Sequence, residues 1–292
     1  MKYDCVIIGS GVAGLSAALY LARANKSVII IENGTVGGTT ATIDLIENYP
    51  GIEAITGQDL IQTMMMQVMH LGVNIDFLNI KSINFDKKAV NCENISIEYK
   101  TLIIASGQSV NKLNIAEEDS FRFKGLSYCA VCDGALYKGK NIAVVCSGNS
   151  GNSAISYLKN ITDKLIVIND KIVSETNDYI LYSNSIVDKI KGSNFVESLI
   201  IKNKTTQQEK SIAVDAVFVC LGKKTNLTLF ENSISCSDGY IVSDENMHTN
   251  IEGVFVAGDI RKKSLRQIIT ACSDGAIAGT EAIKFISKYN SQ

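Results

Sequence analysis

The chain has no tryptophan, a single proline and only two histidines in 292 residues. It also lacks any excess of charge and any apolar run that reads as a membrane span. The lone proline, Pro50, leaves no room for a proline-rich linker. With 28 basic against 30 acidic residues, no global field points toward nucleic acid or a membrane surface. The opening Met1-Lys2-Tyr3-Asp4-Cys5 is not a secretory pattern, because the apolar stretch after it carries Gly9, Gly11 and Gly14 and no cleavage site. A cytoplasmic location is expected. The missing tryptophan has no functional reading. What is present, 46% hydrophobic and 20% charged residues, is a globular composition, and the length suits two ordinary domains.

Eight cysteines are present. Cys5, Cys146, Cys220 and Cys272 sit singly in apolar stretches and read as small buried hydrophobes in a reducing compartment. Cys92 and Cys236 lie in polar segments and are expected to be exposed. Met64, Met65, Met66 and Met69, with Leu60, Ile61 and Val68, fit the buried side of a helix.

Residues 3–8 form an apolar strand, Gly9-Ser10-Gly11-Val12-Ala13-Gly14 opens an amphipathic helix over 15–24, and 27–32 is a second strand ending in Glu32. This is a βαβ unit with the full G-x-G-x-x-G pattern. Gly9 permits the tight turn, Gly11 lets the backbone approach a pyrophosphate, and Gly14 lets helix and strand close up, while the helix N-terminus favours phosphate charge. Glu32 is placed to accept hydrogen bonds from an adenosine ribose. A second unit begins with a strand at 141–145, passes Gly148-Asn149-Ser150-Gly151 into a helix over 152–159, and reaches a strand at 164–168. Two such units imply duplication of a Rossmann-like design. Apolar strands follow at 214–221 and 254–257, and a long helix at 264–286 is entered through Arg266-Gln267.

Between the two turns stands Tyr128-Cys129-Ala130-Val131-Cys132-Asp133-Gly134. Two cysteines this close can both reach one sulfur, so one can attack a partner disulfide while the other resolves the mixed disulfide. A helix start lowers the thiol pKa, and Asp133 is placed to move protons as an acid/base. Zinc is the rival reading, but it needs two more ligands, no second Cys-x-x-Cys occurs, and His70 and His248 fall in unrelated segments. A bland buried cysteine pair is the other alternative, against which the adjoining Asp133-Gly134 argues.

In order along the chain, Gly9 to Gly14 with Glu32, Gly37-Gly38-Thr39-Thr40, Glu47-Asn48-Tyr49-Pro50-Gly51, Ala105-Ser106-Gly107, Cys129 and Cys132 with Asp133, Gly258-Asp259 and Arg266-Gln267 resemble the low-molecular-weight thioredoxin reductase family over nearly the whole length. The resemblance implies an α/β fold of two Rossmann-like nucleotide-binding-type domains, the second inserted into the first. The first would comprise 1–111 and 243–292 and hold FAD; the insert, 112–242, would carry the redox cysteines. Gly9, Gly11, Ala13, Gly14 and Glu32 would then hold the ADP half of FAD, with Gly38, Thr39 and Gly107 along its length. Asn48 would face the flavin edge, Gly258 and Asp259 the ribitol, and Arg266, Gln267 and Ile268 the pyrimidine side of the ring. The resemblance further implies Cys132 on the flavin side, Cys129 as the attacking thiol, a thioredoxin-like protein as acceptor, and a homodimer.

The chain departs from that family in its second turn. Cys146 stands where glycine is wanted, and Asn169-Asp170-Lys171 stands where an arginine cluster would take the 2′-phosphate of NADPH. NADPH is disfavoured as donor. NADH stays open, since Asp170 could hold a free ribose 2′-OH. The profile is similar to the subgroup of these reductases that lacks the NADPH motifs and takes electrons from reduced ferredoxin. Arg261-Lys262-Lys263 is the best candidate for docking that acidic donor, with Lys138, Lys140, Lys223 and Lys224 as weaker ones. A dithiol oxidase passing electrons to oxygen is a further alternative on the same scaffold.

Overall fold

A computed structural model describes residues 1–289 apart from Asp44, Phe123, Glu175 and Glu231; the side chain of Lys223 lies outside the description. The chain divides into two compact units, one made of 1–109 and 225–292, the other of 110–224.

In the first unit the strand Lys2–Ile8 pairs in parallel with Val28–Glu32 on one side and Ser96–Ile104 on the other, and Asn74–Phe77 continues the parallel set. Beyond Ser96–Ile104, its N-terminal half takes the antiparallel strand Ala89–Cys92, while Leu102–Ile104 pairs in parallel with Val254–Val256 from the far end of the chain. These strands are nearly continuous apolar runs because both faces of the sheet are covered. Ile7, Ile30, Ile103 and Phe255 belong to one buried cluster with residues of the helices Val12–Arg23 and Ile268–Tyr289. Val6, Ile8, Ile29, Ile31 and Leu102 lie in the opposite cluster, with Phe230, Ile234 and Ile241. The two helices approach closely at glycines: a Cβ on Gly275 would fall 2.1 Å from the Ala13 carbonyl oxygen.

That second cluster explains where the chain re-enters the first unit. The sequence places the return at 243, but Phe230, Ile234 and Ile241 are already packed beneath the first sheet, and the unit resumes at Thr225.

The second unit has a five-stranded parallel sheet in the spatial order Ile180–Tyr182, Leu165–Asn169, Ile142–Cys146, Ala216–Cys220, Leu126–Ser127. A separate antiparallel sheet of Ser185–Lys191, Ser198–Asn203 and Glu209–Ala213 adds strands that the sequence reading did not assign, joined through Gly192-Ser193-Asn194 and Asn203-Lys204-Thr205-Thr206. Both units are thus Rossmann-like α/β domains.

Several local expectations shift. The first helix starts at Val12, inside the glycine turn, and the last starts at Ile268, after Gln267. Cys92 is buried, because its strand turns it into the second cluster, while Cys236 is exposed. Leu60, Ile61 and Val68 are buried, but Met66 and Met69 point outward at 47% and 54% exposure. No helix among the described residues is long and apolar enough to cross a membrane.

Candidate active site

The first glycine turn is shaped by three different requirements. Gly9 has φ +102°, and a Cβ there would fall 2.5 Å from the Ala105 carbonyl oxygen. At Gly14 a Cβ would fall 2.0 Å from the carbonyl oxygen of Gly9, so helix and turn can meet only without a side chain. Gly11 is the contrasting case: a Cβ would touch nothing within 4 Å. The space over Gly11 is open, which is the cradle a pyrophosphate requires. No side chain among the described residues caps the helix that follows, so its first-turn amides are left for an anion. Glu32 is fixed beside the turn. One carboxylate oxygen accepts from the backbone N–H and hydroxyl of Ser10 at 2.8 and 2.6 Å, the other from the amides of Asn33 and Gly34 at 3.0 and 2.8 Å.

The remaining cofactor candidates gather in this same unit. Thr39 Oγ1 donates to the Gln108 carbonyl at 3.2 Å, beside Gly107. Asn48 Nδ2 donates to Gln267 Oε1 at 3.3 Å, joining two residues 219 positions apart immediately before the helix at Ile268. Gly258 lies against Ala13, where a Cβ would come within 2.9 Å of the alanine methyl. Arg266 stacks on Tyr240, its guanidinium carbon 4.1 Å from the ring centroid, and Gln108 Nε2 donates to the Tyr240 hydroxyl. Two buried oxygens here have no hydrogen-bond partner among the described residues, Asp259 Oδ1 and Gln108 Oε1. A carboxylate oxygen left this way beside the turn fits a ligand rich in hydroxyls, such as a ribitol chain.

Tyr240, Gln108 and Asp274 carry no motif and were missed in the sequence. Asp274 is 4% exposed and accepts from the Gly258 amide at 3.0 Å, from Arg261 Nε at 2.9 Å and Nη2 at 3.1 Å, and from Lys263 Nζ at 2.8 Å. This overturns the docking role expected for Arg261 and Lys263. Their charges point into the protein to neutralise Asp274, with side-chain exposures of 16% and 7%, and Lys263 also lies 3.7 Å from Asp259 Oδ1. Only Lys262 of that trio faces solvent, paired with Asp238.

In the second unit Cys129 and Cys132 are joined as a disulfide with Cα atoms 5.3 Å apart, around the single helical turn Ala130–Asp133. Both residues are partly buried. The Cys132 amide donates to Cys129 Sγ at 3.3 Å. Asp133 is buried; burial pushes its carboxyl above the usual carboxylate pKa, and a hydrogen bond from Ser127, at 2.5 Å to Oδ2, opposes the shift. Asp133 Oδ1 has no hydrogen-bond partner among the described residues. Tyr128 donates its hydroxyl to Glu118 at 2.6 Å, and burial together with that carboxylate raises its pKa.

The second glycine turn is built differently from the first. Cys146 pairs with Asn169 in the strand register, the same relation that places Gly9 opposite Glu32 one step beyond Ile8 and Ile31. The left-handed residue has moved from the first position to the third, Gly148, with φ +55°. Asn169 folds back onto that turn, its Oδ1 accepting from the Gly148 amide at 3.0 Å and its Nδ2 donating to the Gly148 carbonyl at 2.8 Å. Ser150 Oγ takes the Ser147 amide at 2.9 Å. The Cys146 thiol is pushed up to about 11 by burial and by Asp170, which keeps it protonated and inert.

Residues 3–275 match the pyridine nucleotide-disulphide oxidoreductase family. The chain belongs to that family. This oxidoreductase is 39% identical, over 98% of its own length and 97% of the relative's, to a 34.2 kDa protein in the rubredoxin operon of Clostridium pasteurianum. Its structure is similar to that of thioredoxin reductase from Streptococcus pyogenes, with TM-score 0.92 and 36% identity over 98% of this chain and 99% of that one. It is also similar to a ferredoxin-flavin thioredoxin reductase from Clostridium acetobutylicum, with TM-score 0.57 and 30% identity over the full length of both chains.

Proposed function

We propose that this oxidoreductase is an FAD-dependent disulfide reductase that delivers electrons through Cys129 and Cys132 to a thioredoxin-like protein, with reduced ferredoxin as donor. The observation that carries the dithiol role is the Cys129–Cys132 disulfide, partly buried and directly followed by a buried carboxyl. The names of similar proteins, thioredoxin reductases among them, support the acceptor class.

When bound, FAD would supply an electron pair to the disulfide and can itself be filled one electron at a time. The chain's own part is to hold it. Gly11 leaves room for the pyrophosphate, Glu32 would take the ribose, and Asp259 Oδ1, which accepts no hydrogen bond among the described residues, would receive a ribitol hydroxyl. Asn48, paired with Gln267 at the entrance to the last helix, orients the ring edge, and that helix N-terminus favours negative charge developing there. On the dithiol side, the Cys132 amide stabilises negative charge on Cys129 Sγ, and Asp133 holds the proton for the departing partner thiolate.

The donor reading rests on the second turn. Its side chains already satisfy the amides of Ser147 and Gly148, and an amide residue stands where the first unit has its ribose acid. NADH is the second reading, favoured by one observation: the Asp170 Oδ1 atom is buried without a hydrogen-bond partner among the described residues, as an acid awaiting a ribose hydroxyl would be. Anaerobic titration of the flavoprotein with NADPH, NADH and reduced ferredoxin, side by side, separates these. Bleaching of the flavin by ferredoxin alone is expected; rapid bleaching by NADPH sinks the donor assignment, and rapid bleaching by NADH establishes the second reading.

A further inference from the structure

Ser127 sits two residues before Cys129 and is not part of the Cys-x-x-Cys pattern, yet its hydroxyl touches both ends of the redox turn. It accepts from the Cys129 amide at 3.0 Å, lies 2.5 Å from Asp133 Oδ2, and has the Cys129 carbonyl as a distant alternative at 3.5 Å. A serine hydroxyl has one proton, and the nearer acceptor takes it. We propose that Ser127 is a positioning residue for the dithiol's proton donor: by donating to Asp133 Oδ2 it assigns the acid proton to the other carboxyl oxygen, Oδ1, of the residue directly after Cys132. Oδ1 is buried and has no hydrogen-bond partner among the described residues, so a proton there has no acceptor among them to hold it back. The inference rests on the thiol–disulfide exchange proposed above.

The step balances as follows. Cys129 thiolate forms a bond to one sulfur of the partner's disulfide, that disulfide breaks, and the departing partner thiolate takes the proton from Oδ1. Cys132 thiol then gives its proton to the Asp133 carboxylate, and its sulfur attacks Cys129 Sγ. The mixed disulfide breaks, and the second partner thiolate takes that proton. The partner gains two electrons and two protons, and the Cys129–Cys132 bond is restored. Without Ser127 either carboxyl oxygen can carry the proton, and the side chain loses the hydrogen bond that fixes its orientation.

The test uses the full chain, reduced with dithiothreitol, freed of reductant, and mixed anaerobically with a chromogenic aromatic disulfide over a range of pH. Ser127→Ala is expected to slow exchange about tenfold, the worth of one hydrogen bond to a charged group, and to move the loss of proton donation to higher pH. Ser127→Thr, which keeps the hydroxyl, should restore both rate and profile. In an Asp133→Asn background Ser127→Ala should add nothing. If the wild-type dithiol does not exchange at all, the dithiol reading itself fails. If it exchanges and Ser127→Ala has the wild-type rate and profile, or if Ser127→Thr is as slow as Ser127→Ala, or if the two losses add, the positioning role is overturned.

Discussion

The two glycine turns of this chain start from nearly the same sequence pattern and end as different devices. In the first, the left-handed conformation falls on Gly9, and the backbone then runs past Gly11 with open space above it. In the second, Cys146 has a side chain at the position of Gly9, so the left-handed residue is displaced to Gly148 and the turn closes on Asn169 and Ser150. Glu32 and Asn169 occupy corresponding places in the two strand registers, yet one presents a carboxylate beside an open cradle and the other spends its amide on the turn itself. The fold thus survives with two of the three glycines, while only the first turn carries the geometry the full fingerprint describes.

The largest test of this comparison is at the third glycines. Gly14→Ala drives a methyl to 2.0 Å from a backbone oxygen that belongs to the turn, and it should cost about 3 kcal/mol or more and abolish flavin retention. Gly151→Ala meets the Cβ of Cys146 at 2.6 Å, a clash with a side chain rather than with backbone. Its cost should be about 2 kcal/mol with flavin content unchanged, and Cys146→Gly should recover part of it. Thermal melts and flavin-to-protein ratios of the four variants give the answer; equal flavin loss from both alanines would mean the turns are not functionally distinct.

A second test separates binding from folding within the first turn. Gly11 has φ −67° and no neighbour for a Cβ, so Gly11→Ala should fold with stability within about 0.5 kcal/mol of wild type. The methyl occupies the space a pyrophosphate needs, and FAD affinity should fall about 100-fold, roughly 2.8 kcal/mol. Reconstitution of the apoprotein followed by flavin fluorescence measures it. Unchanged affinity would show that the open space over Gly11 is not where the phosphates lie.

These contrasts were partly legible in the sequence and partly not, for physical reasons. Gly9, Gly11, Gly14 and Cys146 could be read because a turn's sterics are local: the presence or absence of a Cβ decides them. The same locality made the dithiol and Asp133 visible. The basic run 261–263 could not be read correctly, because its meaning depends on Asp274, thirteen positions on from Arg261, where two inward-pointing charges neutralise one buried carboxylate. The return of the chain at Thr225 was hidden likewise, since Phe230 and Ile234 reveal their sheet only in three dimensions. Ser127 lay in plain view, but a serine two residues before a cysteine is unremarkable until its hydroxyl is seen between Cys129 and Asp133.

The smallest expected effect is the one that decides between donors. Asp170 lies one residue past Asn169, with one carboxylate oxygen buried and accepting no hydrogen bond among the described residues and the other 3.9 Å from the Lys171 ammonium. If the second turn has given up its nucleotide, Asp170→Asn removes a charge that nothing uses. Turnover with reduced ferredoxin and a thioredoxin-like acceptor should then stay within about twofold of wild type, the scale of an unremarkable surface change. If NADH binds there, the carboxylate is the acid placed for the ribose, and an amide offers one acceptor where two hydroxyls ask for two. The KM for NADH should in that case rise about tenfold with kcat little altered, the pattern of a lost ground-state contact. Steady-state kinetics of the single variant with each donor separates the outcomes, and the second would show that the displaced glycine at 148 still admits a dinucleotide.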